Sequence, residues 1–213
     1  MEFKNNIIIF LKQLDTFNLV CFLIINISIF ALIISIIVDF VFYNNKSNIK
    51  TEKKSIVETG SMTGYTILFC IMTGLDVGKI NFDNYISFLI TTGIGTLFIL
   101  TGSIINIIGR IKLGNNWSNH IKIYSSHSLI THGIYKIVRH PLYASLMLMF
   151  FGGSLVFKNW ICFLTLIFVF IPFMNYRAKQ EEKLLIEEFP DYIEYKKSVG
   201  RFFPKLYLRR MYK

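Results

Sequence analysis

The sequence has few charged residues for its length. Only 17% of its 213 residues are Asp, Glu, Lys or Arg, whereas a typical soluble protein carries roughly 25%. Hydrophobic residues make up 53% of the chain and occur in long runs instead of alternating with polar residues. This composition excludes an ordinary soluble domain and predicts a protein that folds in a lipid bilayer.

Cysteine is also scarce. Cys21, Cys70 and Cys162 are isolated from one another within apolar segments. They form no Cys-x-x-Cys pair, and no nearby histidine completes a metal site. We therefore expect reduced packing cysteines and no bound metal.

Recognised nucleic-acid-binding motifs are missing as well, although the net charge is +10. The basic residues lie mostly between and after the apolar runs, which is typical of the cytoplasmic loops of membrane proteins. The segment Gly93-Ile94-Gly95 does not fit a dinucleotide fingerprint, because it lies inside an apolar run with no preceding strand. We expect contact with membrane lipids and no nucleic acid partner.

Five apolar segments predict an all-α, polytopic membrane protein. An α-helix rises ~1.5 Å per residue, so about 20 residues cross the ~30 Å hydrocarbon core. The first segment is too long for the core of a signal peptide, and no small-residue cleavage site follows it. The second contains Gly60, Gly64 and Gly74, and Gly78 directly follows it; this spacing of small residues lets helices approach closely. The predicted spans are 17–38, 56–77, 85–109, 142–157 and 160–176.

The distribution of lysine predicts an external N-terminus and a cytoplasmic C-terminus. The loop at 44–55 carries four lysines against one glutamate, which favours the cytoplasm. Lys4 and Lys12 favour the opposite orientation. The predicted units are the N-terminal spans in 1–109, a core with a helical hairpin and cytoplasmic helices in 110–204, and a basic amphipathic tail in 205–213.

The last apolar segment leads into a charged helix. Residues 177–188 continue the helix out of the bilayer, Pro190 interrupts it, and 191–199 form a second short helix. Arg177 and Glu181 lie one helical turn apart and therefore project from the same face.

The polar segment before the fourth span ends in Arg139-His140-Pro141. Proline is favoured in the first turn of a helix, so His140 is predicted at a helix N-terminus, which attracts carboxylates. With Arg177 and Glu181, this segment predicts a polar chamber at the cytoplasmic membrane face. Taken singly, the same residues are typical of juxtamembrane cations and of a solvated helix face.

Taken together, the spaced residues between about 113 and 204 resemble the isoprenylcysteine carboxyl methyltransferase family. Ala144 departs from that pattern, where Gly is common, and so does Pro190, where Gly commonly follows the Phe. The matching residues are Leu129-x-x-x-Gly133-x-Tyr135-x-x-x-Arg139-His140-Pro141-x-Tyr143, then Arg177-x-x-x-Glu181-Glu182-x-x-Leu185, Phe189, Tyr192, Tyr195, Val199 and Pro204.

The resemblance implies a methyltransferase that uses S-adenosylmethionine, with a cofactor pocket formed by the loop before the fourth span and by the C-terminal helices. It further implies that Arg177 holds the carboxylate of a lipid-like, prenylated substrate. The residues expected to surround the cofactor are His127, Ser128, Leu129, Ile130, Tyr135, His140, Pro141, Leu142, Tyr143 and Glu181.

Methyl transfer to a carboxylate needs positioning and exclusion of water, but neither a metal nor a strong base. Methylation of another amphiphile, such as a lipid amine or a small thiol, would benefit from a base, for which His127, His132 and Glu182 are candidates. A non-catalytic membrane scaffold that retains a ligand pocket is the third alternative.

Overall fold

The computed structural model describes residues 16–42, 49–53, 56–81, 84–116, 121–124 and 128–205. Within these ranges the α-helices are α1 Thr16–Phe42, α2 Ile56–Gly74, α3 Tyr85–Leu113, α4 Pro141–Val156, α5 Trp160–Thr165, α6 Ile171–Glu188 and α7 Tyr192–Ser198. The short strands are β1 Ile49–Lys53 and β2 Ile121–Tyr124, and 3-10 turns cover Gly114–Asn116 and Gly133–Lys136. A π-helical turn, Leu166–Phe170, joins α5 to α6.

Three helices of the described chain are long and apolar enough to cross a membrane, namely Thr16–Phe42, Tyr85–Asn116 and Trp160–Glu188. The all-α integral membrane fold predicted from the sequence is therefore confirmed. The other two predicted spans correspond to shorter apolar helices, Met62–Gly74 and Pro141–Val156. The 16 residues of α4 extend about 24 Å at ~1.5 Å per residue, which is less than the ~30 Å hydrocarbon core.

Glycines of α3 let α4 pack against it in the antiparallel direction. A Cβ atom added to Gly95 would lie 2.6 Å from the carbonyl oxygen of Gly152, and one added to Gly102 would lie 2.8 Å from that of Ser145. Gly109 continues this seven-residue spacing to the first turn of α4. A side chain at the first two positions would push the helices apart, so glycine permits their close approach.

Gly78, which follows α2, approaches α5 closely, since a Cβ built on it would lie 2.5 Å from Cγ1 of Ile161. The glycines within α2 do not mediate such a contact, contrary to the prediction. Among the described residues, nothing lies within 4 Å of a Cβ built on Gly60, Gly64 or Gly74. α2 packs instead through aromatic side chains, and the ring of Tyr65 lies 4.6 Å from that of Phe170, centroid to centroid. Small residues permit a close helix contact without requiring one, whereas large aromatic residues bury more apolar area.

α5, the π-helical turn and α6 form one continuous helix, Trp160–Glu188, as predicted for the segment that leaves the bilayer. Its inner face lies at the centre of the hydrophobic core. The side chains of this face are at most 2% exposed and follow each other every four residues: Leu166, Phe170, Met174 and Ala178. Arg177 lies beside the last of them, so the packed column holds the charged end of the helix in register.

A short ribbon joins two loops of the bundle. β1 lies between α1 and α2, β2 lies between α3 and α4, and the two strands pair antiparallel from Ile49–Tyr124 to Lys53–Ile121. These strands were not predicted from the sequence. Their pairing places both loops on the same side of the helices, as the predicted topology requires.

Candidate active site

The start of α4 is fixed by the chain that follows α7. His140 is the N-cap residue with a non-helical φ of −124°, and Pro141 lies in the first turn, as the sequence predicts. The backbone N–H of Arg139 donates to the carbonyl of Gly200 at 2.8 Å, and that of His140 donates to Arg201 at 3.0 Å. These bonds hold the Arg-His-Pro segment in place before α4 begins.

Tyr143, Arg177 and Glu181 meet between α4 and α6, and we term them the Glu181 triad. The Nε–H of Arg177 donates to the Tyr143 hydroxyl at 2.8 Å, and this hydroxyl donates to Oε1 of Glu181. The Arg177 Nε also lies 3.6 Å from the same carboxylate oxygen. The Arg177 side chain is 7% exposed and that of Glu181 is 25% exposed. The triad therefore holds opposite charges side by side, with the carboxylate accessible to solvent.

His140 bridges Glu181 and Glu182. Its Nδ1 lies 3.4 Å from Oε2 of Glu181 and its Nε2 lies 3.3 Å from Oε1 of Glu182, while its ring stacks on Tyr143. Only a protonated imidazole can donate from both nitrogens. Burial would lower the pKa of His140, but the hydrogen bonds and charges of the two glutamates raise it above its ordinary value. His140 therefore lies between the two carboxylates in the geometry that suits an imidazolium.

Arg139, His140, Lys196 and Arg201 surround Glu182, and we term these five residues the Glu182 cluster. The Nη2 of Arg139 donates to Oε1 at 2.8 Å, and the Nη2 of Arg201 donates to Oε2 at 2.8 Å. The Nζ of Lys196 lies 3.2 Å from Oε2. Because its oxygens already face these cations, the carboxylate is poorly suited to take up a proton as a general base. The structure argues against that candidate role for Glu182.

A partly open cleft lies beside the Glu182 cluster, since Arg139 of that cluster lines it. Burial, and next the charge of Glu181, raise the pKa of Tyr135, which lines the cleft. Leu185, one helical turn after Glu181 on α6, also lines the cleft, so this part of α6 forms one of its walls. The lining residues are Leu113, Ser128, Leu129, Ile130, Tyr135, Arg139, Leu185, Tyr192 and Tyr195.

The residues predicted to surround the cofactor fall into separate places. Pro141 is buried in the first turn of α4, and Leu142 packs against Gly109 of α3. His127 lies outside the described residues. The predicted residues that line the cleft are Ser128, Leu129, Ile130 and Tyr135. Those that meet outside it are His140, Tyr143 and Glu181, together with Arg177.

The sequence pattern assigned no role at the site to Arg201, Tyr192 or Tyr195, and it placed Arg139 only within the segment predicted to form the polar chamber. Arg201 lies 19 positions after Glu182 and Arg139 lies 43 positions before it. No helical spacing connects residues so far apart, so no local pattern could have paired them. Tyr192 and Tyr195 were part of the matching string and face the cleft, so their three-residue spacing on α7 was the available signal.

Part of the sequence is similar to a known protein family. Residues 93–187 match the isoprenylcysteine carboxyl methyltransferase (ICMT) family. The matched segment runs from α3 through most of α6 and contains Tyr143, Arg177 and Glu181. The resemblance inferred from the sequence is confirmed over this segment.

Similar proteins come from several kingdoms. Protein-S-isoprenylcysteine O-methyltransferase of Saccharomyces cerevisiae is 31% identical over 140 residues, which are 64% of this chain and 59% of that protein. Protein-S-isoprenylcysteine O-methyltransferase A of Arabidopsis thaliana is 31% identical over 113 residues, 52% of this chain and 57% of that protein. Protein-S-isoprenylcysteine O-methyltransferase of Xenopus laevis is 31% identical over 115 residues, which are 52% of this chain and 40% of that protein. The chain thus spans between 40% and 59% of the length of these relatives.

Proposed function

We propose that this chain, whose residues 93–187 match the ICMT family, is an integral membrane methyltransferase that uses S-adenosylmethionine to methylate the carboxylate of an isoprenylcysteine-like substrate. One observation carries the proposal. The Glu181 triad holds a buried guanidinium beside a partly exposed carboxylate, where the apolar Trp160–Glu188 helix becomes charged. This arrangement suits two ligands of opposite charge, an ammonium and a carboxylate.

The residues of the cleft and the triad fit the proposed cofactor. The cleft walls are mainly aliphatic and tyrosine side chains, which suit a purine and a ribose. Ser128, Leu129, Ile130 and Tyr135 would hold that end. Glu181, whose carboxylate is 25% exposed, would accept hydrogen bonds from the amino group of the methionine part. When bound, the cofactor would supply a methyl group activated on a sulfonium sulfur.

Arg177 is proposed to hold the carboxylate of the acceptor. A guanidinium can donate two parallel hydrogen bonds to a carboxylate, and a lysine reproduces that geometry poorly. The bond from its Nε to Tyr143 limits the rotation of the side chain before the acceptor arrives. Charge attraction and orientation would then be supplied by the same residue.

The surroundings of Glu182, one of the three candidate bases, favour a carboxylate acceptor over an amine or a thiol. Of the other two, His132 is exposed at the start of the 3-10 turn Gly133–Lys136 and His127 lies outside the described residues. An ionised carboxylate needs no deprotonation, whereas a protonated amine does. Glu182 faces four cations, and both nitrogens of His140 face carboxylate oxygens. Neither group is placed to remove a proton from an incoming acceptor.

The active site is proposed to face the cytoplasm. The lysine-rich loop at 44–55 contains β1, which pairs with β2 in the segment before α4. Positively charged loops favour the cytoplasmic side. A lipid-modified acceptor would keep its prenyl chain in the bilayer while its carboxylate reaches Arg177.

The test is a methyl-transfer assay with purified protein in detergent. The acceptors are a farnesylated cysteine with a free carboxylate, the same molecule with an amidated carboxylate, and phosphatidylethanolamine. Methyl-labelled S-adenosylmethionine should give a product that releases volatile methanol in alkali, and only with the free carboxylate. Alkali-stable label on the amine lipid would contradict the proposed acceptor, and absence of both transfer and cofactor binding would favour a non-catalytic scaffold.

A further inference from the structure

Polar side chains from three helices form a buried chain that the proposed reaction does not use. It consists of Asp39 on α1, Arg110 and Asn106 on α3, and Ser145 on α4. Asp39 is 2% exposed, and Asn106 and Ser145 are fully buried. A charge buried in a membrane protein is costly unless it is paired, and such residues commonly have a function.

The hydrogen bonds that link these four polar side chains have a defined direction. Arg110 donates from Nη1 to Oδ2 of Asp39 at 2.5 Å and from Nε to Oδ1 of Asn106 at 2.7 Å. Arginine has donors and no acceptor, so the amide oxygen of Asn106 must face Arg110. The Nδ2 of Asn106 therefore faces α4, where it donates to Oγ of Ser145 at 2.6 Å. The ion pair with α1 thus selects the orientation of an amide that contacts α4.

These hydrogen bonds end at the carbonyl of Leu142, one residue before Tyr143 of the Glu181 triad. The Ser145 hydroxyl donates to the carbonyl of Leu142 at 2.7 Å, and the Nδ2 of Asn106 lies 3.4 Å from the same oxygen. Leu142 directly precedes Tyr143, whose hydroxyl contacts Arg177 and Glu181. The hydrogen-bonded side chains therefore contact the first turn of α4, which sets the position of Tyr143.

The same end of α3 also supports the cleft. The hydroxyl of Tyr135, which lines the cleft, donates to the carbonyl of Gly109 at 3.3 Å. Gly109 directly precedes Arg110. Two parts of the proposed site thus rest on one short stretch of α3.

We propose that Asp39, Arg110, Asn106 and Ser145 form a positioning relay that holds the first turn of α4, so that Tyr143 keeps Arg177 and Glu181 in their binding geometry. Its consequence for ligand binding rests on the proposed function, whereas its effect on α4 does not. The relay gives α1, which lies outside the family-matched residues 93–187, a role in the site.

Ser154 offers a matched control for Ser145. Both serines are buried on α4, and both donate to the carbonyl three residues earlier, Ser145 to Leu142 and Ser154 to Phe151, at 2.7 Å in each case. Asn106 of α3 donates to Ser145. Ser145→Ala and Ser154→Ala therefore remove the same local bond, but only the first removes an acceptor of the relay.

The first measurement is hydrogen exchange of the ligand-free protein in detergent, followed by mass spectrometry of peptides that cover 142–146. Ser145→Ala, Asn106→Leu and Asp39→Asn should accelerate exchange of these amides by about fivefold or more, as expected for the loss of one buried hydrogen bond. Ser154→Ala should leave their exchange unchanged. Equal rates in the two serine variants would overturn the relay. Ser145→Ala and Asp39→Asn decide the question if Asn106→Leu fails to fold.

The second measurement is calorimetry with S-adenosylhomocysteine. The Kd should rise about threefold to tenfold in the relay variants and remain at the wild-type value in Ser154→Ala. Faster exchange with an unchanged Kd would overturn the link between relay and site. If the wild type itself binds no ligand, the proposed function fails, and hydrogen exchange alone decides whether the relay holds α4.

Discussion

Glu181 and Glu182 are consecutive residues of α6, yet their carboxylates have different surroundings. Glu182 is 2% exposed and faces Arg139, Arg201 and Lys196. Glu181 is 25% exposed and contacts Tyr143 and Arg177. His140 touches both carboxylates.

From this difference we infer that Glu182 is a structural charge, and we propose that Glu181 is a ligand-binding charge. The Glu182 cluster joins the start of α4, α6, α7 and the segment after α7. Its cations occupy the hydrogen-bond acceptor positions of the Glu182 carboxylate, and these contacts stabilise the fold. The Glu181 triad keeps its carboxylate accessible, and a ligand can still reach it. Glu182 is therefore expected to control stability, and Glu181 to control ligand binding.

The largest expected effect comes from Glu182→Gln. Removing one partner of a buried ion pair costs about 3–5 kcal/mol, because the remaining charges are left uncompensated. Thermal unfolding in detergent should show a large loss of stability. Glu187→Gln, at an exposed position of the same helix, is the control. A Glu182→Gln protein that melts at the wild-type temperature would contradict the proposed difference between the two glutamates.

Arg177→Lys should have the next largest effect. It keeps the positive charge but loses the planar pair of donors, and a hydrogen bond to a charged group contributes about 1.5–3 kcal/mol. We expect kcat/KM for the prenylated carboxylate to fall about tenfold to a hundredfold, since ~1.4 kcal/mol is a factor of ten. Affinity for S-adenosylhomocysteine should change much less. Lys179→Arg, at an exposed position of the same helix, is the control and should change neither quantity. Equal losses of kcat/KM and of affinity for S-adenosylhomocysteine in Arg177→Lys would contradict the separate role of Arg177.

Tyr143→Phe should have a smaller effect on activity. It removes the hydroxyl that joins Arg177 to Glu181 but keeps the packed ring, so the loss should be about 1 kcal/mol, or about fivefold in kcat/KM. Tyr65→Phe removes a buried hydroxyl that lies near Cys162 and Thr165. That control should lower the melting temperature without lowering kcat/KM. The same loss of kcat/KM in both variants would point to a general packing effect.

The smallest expected effect is a dependence of stability on pH through His140. Its pKa is raised in the folded protein, so its contribution is complete below the unfolded value of about 6.5 and is lost as pH rises through the folded value. The melting temperature should fall more steeply with rising pH in the wild type than in His140→Gln. Identical slopes would show that His140 does not bridge the carboxylates as a cation.

Local features of this fold were accessible from the sequence. The apolar runs predicted the membrane helices, proline predicted the start of α4, and four-residue spacing placed Arg177 and Glu181 on one face. Each of these depends on residues within one or two helical turns, where periodicity and proline geometry decide the structure.

Contacts between distant segments were not accessible in this way. Asp39 and Arg110 are 71 residues apart, and the pairing of β1 with β2 joins loops on either side of α2 and α3. Two adjacent glutamates also look equivalent in a sequence. Their different roles arise because Arg139 and Arg201 reach Glu182 from elsewhere in the chain.

Binding of the cofactor by Glu181, and not by Glu182, is the proposal on which the assignment of this site depends. Its most direct test is calorimetry of S-adenosylhomocysteine binding to purified wild type, Glu181→Gln and Glu187→Gln, with melting temperatures measured on the same samples. We expect binding by the wild type and Glu187→Gln, and an affinity about tenfold lower in a Glu181→Gln protein that melts near the wild-type temperature. Wild-type affinity in Glu181→Gln would contradict it.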